Sequence, residues 1–325
     1  MTYTKLFIVL LLWVLPGTSL AQSSLDQPSI RFGILTPGWN TSWQDLRIVW
    51  QQAEQLGFDS AWIPDHVLAI SGAETGPALD SWMLLAALAG ETSRMRIGCL
   101  VTANTFRYPA VLAKMATTVD HLSNGRLALG LGAAWHEREH QAYGIPFYTA
   151  KERAERLGEA AALIRLLWSE EPANFQGKYY QLDNAPFAPR PVQKPHPPIV
   201  IGGAGPKWTL PIVARSADIW NVGYTSPKTV AELNQVIDRH CQDIGRDPKE
   251  IERSLFARLA LTTEPVDPSQ EDSRTMRGTP KQIVEQLQQF REAGITHFIF
   301  GVYPELGDPQ TTLRLLASEV MPAFR

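Results

Sequence analysis

The chain has only two cysteines, Cys99 and Cys241, in 325 residues. Two cannot build a disulfide framework. Cys99 falls in an apolar, strand-like run and Cys241 in a helical one, so each reads as a small core hydrophobe. No Cys/His spacing has the form of a zinc site, and no metal is expected. Runs of Lys or Arg are missing, and 30 basic against 33 acidic side chains leave a net charge of −3. That balance points to neither nucleic acid nor an anionic membrane surface as a partner. Low-complexity tracts and tandem repeats at solenoid periods are absent too. Finally, no Gly-x-Gly-x-x-Gly turn follows the first strand-like segment, where Pro37-Gly38-Trp39-Asn40 stands instead. This argues against a doubly wound dinucleotide-binding sheet.

The one long apolar run lies at the start. Within Met1–Ala21 the only charge is Lys5, Leu6–Leu15 is unbroken apolar sequence, and Ser19-Leu20-Ala21 closes the stretch. This is the pattern of a signal peptide cut after Ala21. It is too short for a permanent membrane anchor. Gln22 rather than Cys follows the cut, and no twin arginine precedes it, so lipoprotein and twin-arginine routes are not indicated. The protein is therefore expected to be exported, to a periplasm or outside the cell, if the leader is genuine. It is cytoplasmic if the stretch is a fortuitous upstream extension. Residues 22–29 read as a polar linker, and residues 30–325 as one folded unit.

From Ile30 onward strands and helices alternate. Strand-like segments are Ile30–Thr36, Ser60–Ile63, Met95–Thr102, Leu127–Leu131, Ile199–Ile201, Ala217–Asn221, Ser254–Leu261 and Thr296–Gly301. Helical spacing covers Ser42–Leu56, Asp80–Thr92, Pro109–Leu122, Thr149–Ser169, Pro206–Arg215, Ser226–Ile244, Pro280–Ala293 and Thr311–Val320. Eight of each is the count of a single (β/α)8 TIM barrel, an α/β fold. The rhythm breaks between strands four and five. There Phe175–Leu182 reads as a hairpin and Pro186–Pro198 as an extended strap. The excursion is too short to bury its own core and reads as an insertion.

A barrel of this kind does its chemistry at the C-terminal ends of its strands. After strand two, Pro64 stops the ladder and sets down Asp65 and His66 side by side. By themselves the two could equally be a cap and a loop residue. After strand three come Thr102, Asn104 and then Arg107, which could pair with a surface carboxylate. After strand five comes Gly202-Gly203-Ala204-Gly205, followed by Pro206-Lys207. Bare amides at a helix N-terminus would make an anion site, though a plain tight turn fits the same letters. Arg258 and Arg277 are weaker anion candidates. The collected strand ends are poor in metal ligands and lack a glycosidase carboxylate pair. They suit a large flat cofactor, as do ten tryptophans, several near strand ends.

Several longer stretches carry a family resemblance. They are Leu56-Gly57-Phe58-Asp59-Ser60-Ala61-Trp62 leading to Asp65-His66, Leu100 through Pro109, Asp120 through Arg126 running to Gly130 through His136, Pro197 through Gly203, Ala217 through Asn221, and Gly278-Thr279-Pro280. With them the chain resembles the bacterial luciferase-like superfamily, in the branch that uses the deazaflavin coenzyme F420. The resemblance implies hydride transfer between F420 and a small organic substrate. It leaves an alternative, an FMN-dependent monooxygenase fed with reduced flavin by a separate reductase. A barrel that binds a flavin or other ligand without turnover is the reading from another class. A homodimer through exposed barrel helices is compatible with all three.

The resemblance also implies site roles. Asp65 would hydrogen-bond the ring, and His66 would face the substrate. A non-proline cis peptide near Leu100–Val101 would back the ring, with Leu100, Val101, Thr102, Asn104, Gly132 and Ala133 around it. Gly202, Gly203, Ala204 and Gly205 would hold the phosphate. One departure stands out: a sugar-phosphate dehydrogenase relative carries a glutamate just after strand four, where this chain has Trp135 and then His136 and Glu137. A sugar phosphate is therefore not the expected substrate. The proton falls to His66, His136 or His140, because an imidazole can give or take one near neutrality.

Overall fold

The structure is a computed structural model that describes residues 29–267 and 274–325. The expected leader and nearly all of the linker lie outside the described residues. Eight parallel strands close a barrel. They are β1 (Arg31–Leu35), β2 (Ser60–Ile63), β3 (Arg96–Cys99), β4 (Leu127–Gly132), β5 (Ile199–Gly202), β6 (Ile219–Gly223), β7 (Glu252–Leu261) and β8 (His297–Gly301). Each strand pairs with the next, and β8 pairs back onto β1 from Arg31 opposite His297 to Leu35 opposite Gly301. This is the TIM barrel expected from the alternation. β3 resumes as Thr102–Ala103, which pairs with Leu131 and Gly132 of β4. The interruption between them is a cis peptide bond at Leu100–Val101, where the resemblance placed one.

Around the barrel run α1 (Trp43–Gln55), α2 (Ser81–Glu91), α3 (Pro109–Leu122), α4 (Ala150–Ser169), α5 (Thr209–Ser216), α6 (Pro227–Asp243), α7 (Pro280–Glu292) and α8 (Pro309–Leu315). Their starts are set by local chemistry. Ser42, Asp80, Thr149, Ser226, Thr279 and Asp308 each accept a backbone N–H of the first turn. Thr279 and Gln282 complete a capping box. Proline begins α3, α6, α7 and α8, where its missing N–H costs nothing. No helix among the described residues is long and apolar enough to cross a membrane.

Two cores result. The larger lies between strands and helices, with Phe32, Trp50, Trp82, Leu157, Trp220 and Phe298 among its buried members. The smaller fills the barrel, with Trp62, Ala128, Val200, Ile219 and Ile299. Burial on both faces explains why β2 and β4 read as unbroken apolar runs. Inside, Gly98 makes room for the Trp62 indole: a Cβ there would stand 2.3 Å from the Ala128 carbonyl oxygen and 2.7 Å from the indole. Trp62 Nε1 donates to Ser60 Oγ at 2.9 Å, and Ser60 Oγ lies 2.8 Å from His297 Nε2. At the N-terminal floor Glu252 sits among Arg31, Arg96 and His297, its Oε1 2.9 Å from His297 Nδ1.

The insertion is a two-stranded antiparallel hairpin of Ala173–Gln176 and Gln181–Ala185. Its turn is fastened to α4, where the Glu159 carboxylate accepts from the amides of Lys178, Tyr179 and Tyr180. Three features differ from the sequence expectation. Thr275–Gly278 forms a short strand beside the end of β7. α5 begins at Thr209, so Pro206 and Lys207 precede the helix by a turn. The last helix ends at Leu315 and gives way to a π turn over Leu316–Val320. Both cysteines are buried and free.

Candidate active site

At the C-terminal mouth of the barrel lies a cleft of about 470 Å³. β2 delivers its central pair. Pro64 ends the strand, and Ser81 Oγ donates to the Pro64 carbonyl at 2.8 Å, tying the turn to α2. Asp65 follows, only 2% exposed. Its carboxylate accepts from Arg107, Nη1 to Oδ2 at 2.5 Å and Nη2 to Oδ1 at 3.4 Å. Arg107 also reaches Asp80 Oδ2 at 3.0 Å. Burial pushes the Asp65 carboxyl above the usual carboxylate range, with the Arg107 cation pulling against it. For Arg107 burial pulls downward, and the Asp65 carboxylate outweighs it, so the net direction is up.

His66 lines the cleft beside Asp65. Its Nδ1 lies 3.0 and 3.1 Å from the two oxygens of Glu139, a side chain 2% exposed, and Glu139 also accepts from the Val67 amide at 3.2 Å. The imidazole is flanked by indoles: Trp39 and Trp135 each meet it edge-on with centroids 5.7 Å away. Glu139 comes from the short helix Glu137–Ala142, which follows β4 and turns Glu139 inward while Glu137 stays exposed.

Leu100 and Val101 also line the cleft. Val101 is seated by small neighbours: a Cβ on Gly132 would stand 2.5 Å from its Cγ2, and one on Gly202 3.0 Å from its Cγ1. The residues that bring Val101 to the cleft are thus the glycines at the ends of β4 and β5. Beyond them the loop Gly203–Trp208 is exposed. The Gly203 amide bonds Asn221 O, and those of Thr209 and Leu210 bond Gly205 O. The amides of Ala204 and Gly205 have no partner among the described residues. With Lys207 beside them they can receive an anionic group, though the first amides of α5 are already used.

The cleft gathers Asp65, His66, Leu100, Val101, Gly132, Ala133, Gly202 and Gly203 from among the residues singled out in the sequence. Others stand outside it. Thr102 is buried, its Oγ1 accepting from Trp82 Nε1 at 3.0 Å. Asn104 is buried with its amide turned to backbone groups. Ala204 and Gly205 lie on the exposed loop. His136 caps the short helix, its ring 6.2 Å from that of His66 and its Nδ1 3.9 Å from Glu139 Oε1. His140 is fully buried, with Nδ1 2.9 Å from His136 O and Nε2 2.7 Å from Thr105 Oγ1, so it does not reach the cleft. Glu139 and the Arg107–Asp65 pairing are the components that sequence reading missed.

Fold and site together define an α/β-barrel enzyme with an acid, an imidazole and an exposed glycine loop around its mouth. The family model described as luciferase-like monooxygenase matches residues 30–271, and the chain belongs to that family. It is an oxidoreductase of the luciferase-like type, with F420-dependent dehydrogenases among its homologues. The F420-dependent glucose-6-phosphate dehydrogenase of Amycolatopsis mediterranei is 31% identical over 317 residues, covering 84% of this chain and 92% of the relative. The F420-dependent hydroxymycolic acid dehydrogenase of Mycobacterium tuberculosis is 34% identical over 210 residues, 64% of this chain and 57% of the relative. Among solved structures, an F420-dependent secondary alcohol dehydrogenase bound to an F420–acetone adduct superposes with a TM-score of 0.80 at 21% identity. That match covers 91% of this chain and 99% of the other.

Proposed function

We propose that the protein is an F420-dependent oxidoreductase that transfers hydride between the deazaflavin and a small organic substrate. The observation that carries this reading is His66, an imidazole at the cleft with a buried carboxylate behind Nδ1. Glu139 fixes the ring and leaves Nε2 as the nitrogen free of that contact. In the proposed mechanism His66 takes the substrate hydroxyl proton in oxidation and returns it in reduction. His136, beside it, passes that proton toward solvent.

The cofactor's part is to supply a ring carbon that accepts or gives hydride. The residues fit such a group. Val101, seated against Gly132 and Gly202, offers a smooth wall for a flat ring. Asp65, paired with Arg107 at the edge of the cleft, presents a carboxylate that can accept a hydrogen bond from the ring edge. Ala204, Gly205 and Lys207 can receive a phosphate at the exposed end.

Titration of the purified protein with F420, followed by the deazaflavin's fluorescence, tests the cofactor. Turnover, followed by its visible absorbance, tests the chemistry. His66→Ala is expected to lower kcat by about 10²–10⁴-fold while F420 affinity stays within a few-fold. Tight FMN binding with oxygen-consuming turnover would overturn the proposal in favour of a monooxygenase served by a flavin reductase. Binding without turnover by wild type would leave a ligand-binding barrel.

A further inference from the structure

We infer that the substrate is an uncharged, apolar alcohol–ketone pair and not a phosphorylated sugar. The inference rests on the oxidoreductase reading above and names the substrate of that same site. Its first support is electrostatic. No Lys or Arg is among the described residues that line the cleft. Its ionisable groups besides His66 are Asp65, Glu139 and Tyr303. Asp65 is committed to Arg107 and Glu139 to His66, while burial pushes the Tyr303 phenol up and keeps it neutral. A phosphate dianion here would face two acids and find no cation, whereas phosphate recognition rests on Arg or Lys. Arg258 is not among the lining residues: its guanidinium lies over Tyr303, 5.1 Å from the ring centroid, and 3.5 Å from Glu305. Lys207 stands on the exposed loop, where the cofactor phosphate is assigned.

The second support is the wall around His66. The imidazole is met edge-on by the indoles of Trp39 and Trp135, and Ile70, Phe256 and Tyr303 also line the cleft. Trp135 is 64% exposed, so among the described residues a large apolar surface stands open at the mouth. Such a box favours a carbon skeleton carrying a single polar group. The step balances simply. The carbinol C–H leaves as hydride to the oxidised deazaflavin, the O–H proton passes to His66, and a C=O forms. Two electrons leave the carbon and two arrive on the cofactor. The reverse reduces the ketone.

The test uses the full-length protein saturated with F420, saturation being fixed first by fluorescence titration. Turnover is then compared for 2-propanol, 2-butanol, cyclohexanol and 1-phenylethanol against glucose 6-phosphate. Calorimetry measures binding of acetophenone to the loaded protein. The expected result is that kcat/KM rises about fourfold per added methylene, and that glucose 6-phosphate lies at least 100-fold below the best alcohol. Ile70→Arg, a change at a half-exposed position, should lower the alcohol values and raise that for glucose 6-phosphate. Glucose 6-phosphate turnover equal to or above that of every alcohol overturns the inference and leaves the cofactor reading intact. Bound F420 with no saturable response to any alcohol or to acetophenone overturns it likewise. Failure to bind F420 sinks the reading beneath it.

Discussion

Removing the Arg107 guanidinium should expose how the acid of the site is held. Asp65 is 2% exposed, so water offers its carboxylate almost nothing, and Arg107 is its charge partner at 2.5 Å. Taking one partner from a buried pair costs about 3–5 kcal/mol. The second arm of Arg107, to the half-exposed Asp80, is worth at most about 1 kcal/mol. The Arg107 side chain is itself partly solvated, so Arg107→Ala should lie near the lower end, about 3 kcal/mol at neutral pH. Asp65→Asn/Arg107→Ala carries no charge to strand. It should be more stable than Arg107→Ala alone by about 1–2 kcal/mol, a coupling that a double-mutant cycle isolates. The pH dependence has a definite sign. Burial already holds the Asp65 carboxyl above its ordinary 3.8, and without Arg107 only the weaker pull of His66 opposes burial. A carboxyl raised on folding costs stability as pH climbs from the unfolded value through the folded one. The deficit of Arg107→Ala should therefore shrink on acidification toward pH 4. Urea denaturation of the wild type, Asp65→Asn, Arg107→Ala and the double variant at pH 7.5 and pH 5 measures this. A loss under 1 kcal/mol, a double variant less stable than Arg107→Ala, or a deficit that grows with acid would refute the reasoning.

Further outcomes follow from other parts of the molecule. At the floor, burial pulls Glu252 upward, but His297, Arg31 and Arg96 together hold it below the usual carboxylate range. Glu252→Gln should cost about 3 kcal/mol at pH 7. The wild-type advantage, present above pH 4.5, should be lost as pH falls through the lowered folded value. Glu54, likewise held low against burial by the amides of Arg94, Met95 and Ser93, should lose about 1–3 kcal/mol on Glu54→Ala, read from the denaturation midpoint. Gly132→Ala should push Val101 toward the cleft and weaken F420 binding at least tenfold, and adding Val101→Ala should restore part of it. If the leader is genuine, N-terminal sequencing of the native protein should begin at Gln22.

Much of the barrel was legible because burial on both strand faces writes continuous apolar words, and because caps and prolines punctuate the helices. α3 spans Pro109–Leu122, the range its helical spacing predicts, with Pro109 at its start. The short strand Thr275–Gly278 was not legible, since it exists only as a partner for the overhanging end of β7. In the site, Asp65 and His66 were visible through the proline that stops β2. Their partners were not. Arg107 lies 42 residues from Asp65 and Glu139 lies 73 from His66, and only closure of the barrel brings them together. Arg107 was readable as the mate of a surface carboxylate, and Asp80 is one, but the buried Asp65 is nearer. Glu139 was hidden by phase: a six-residue helix carries too little pattern to say which of its two neighbouring glutamates faces in.

The pleat of β7 has a consequence for how such a protein can change. Alternate residues of a strand share one face. Here Glu252, Ser254, Phe256 and Arg258 mark successive levels of one column. Glu252 meets the floor ion pairs, Ser254 bonds the Asn221 amide at 3.0 Å, Phe256 walls the cleft, and Arg258 lies against Tyr303. The residue that anchors the foundation and the one that shapes the ligand's berth are therefore spokes of a single rigid rod. Adaptation to a new ligand through this wall cannot be independent of the foundation. A family building on this frame has more freedom to diversify its loops, such as those bearing Ile70 and Trp135, than the strand that faces them.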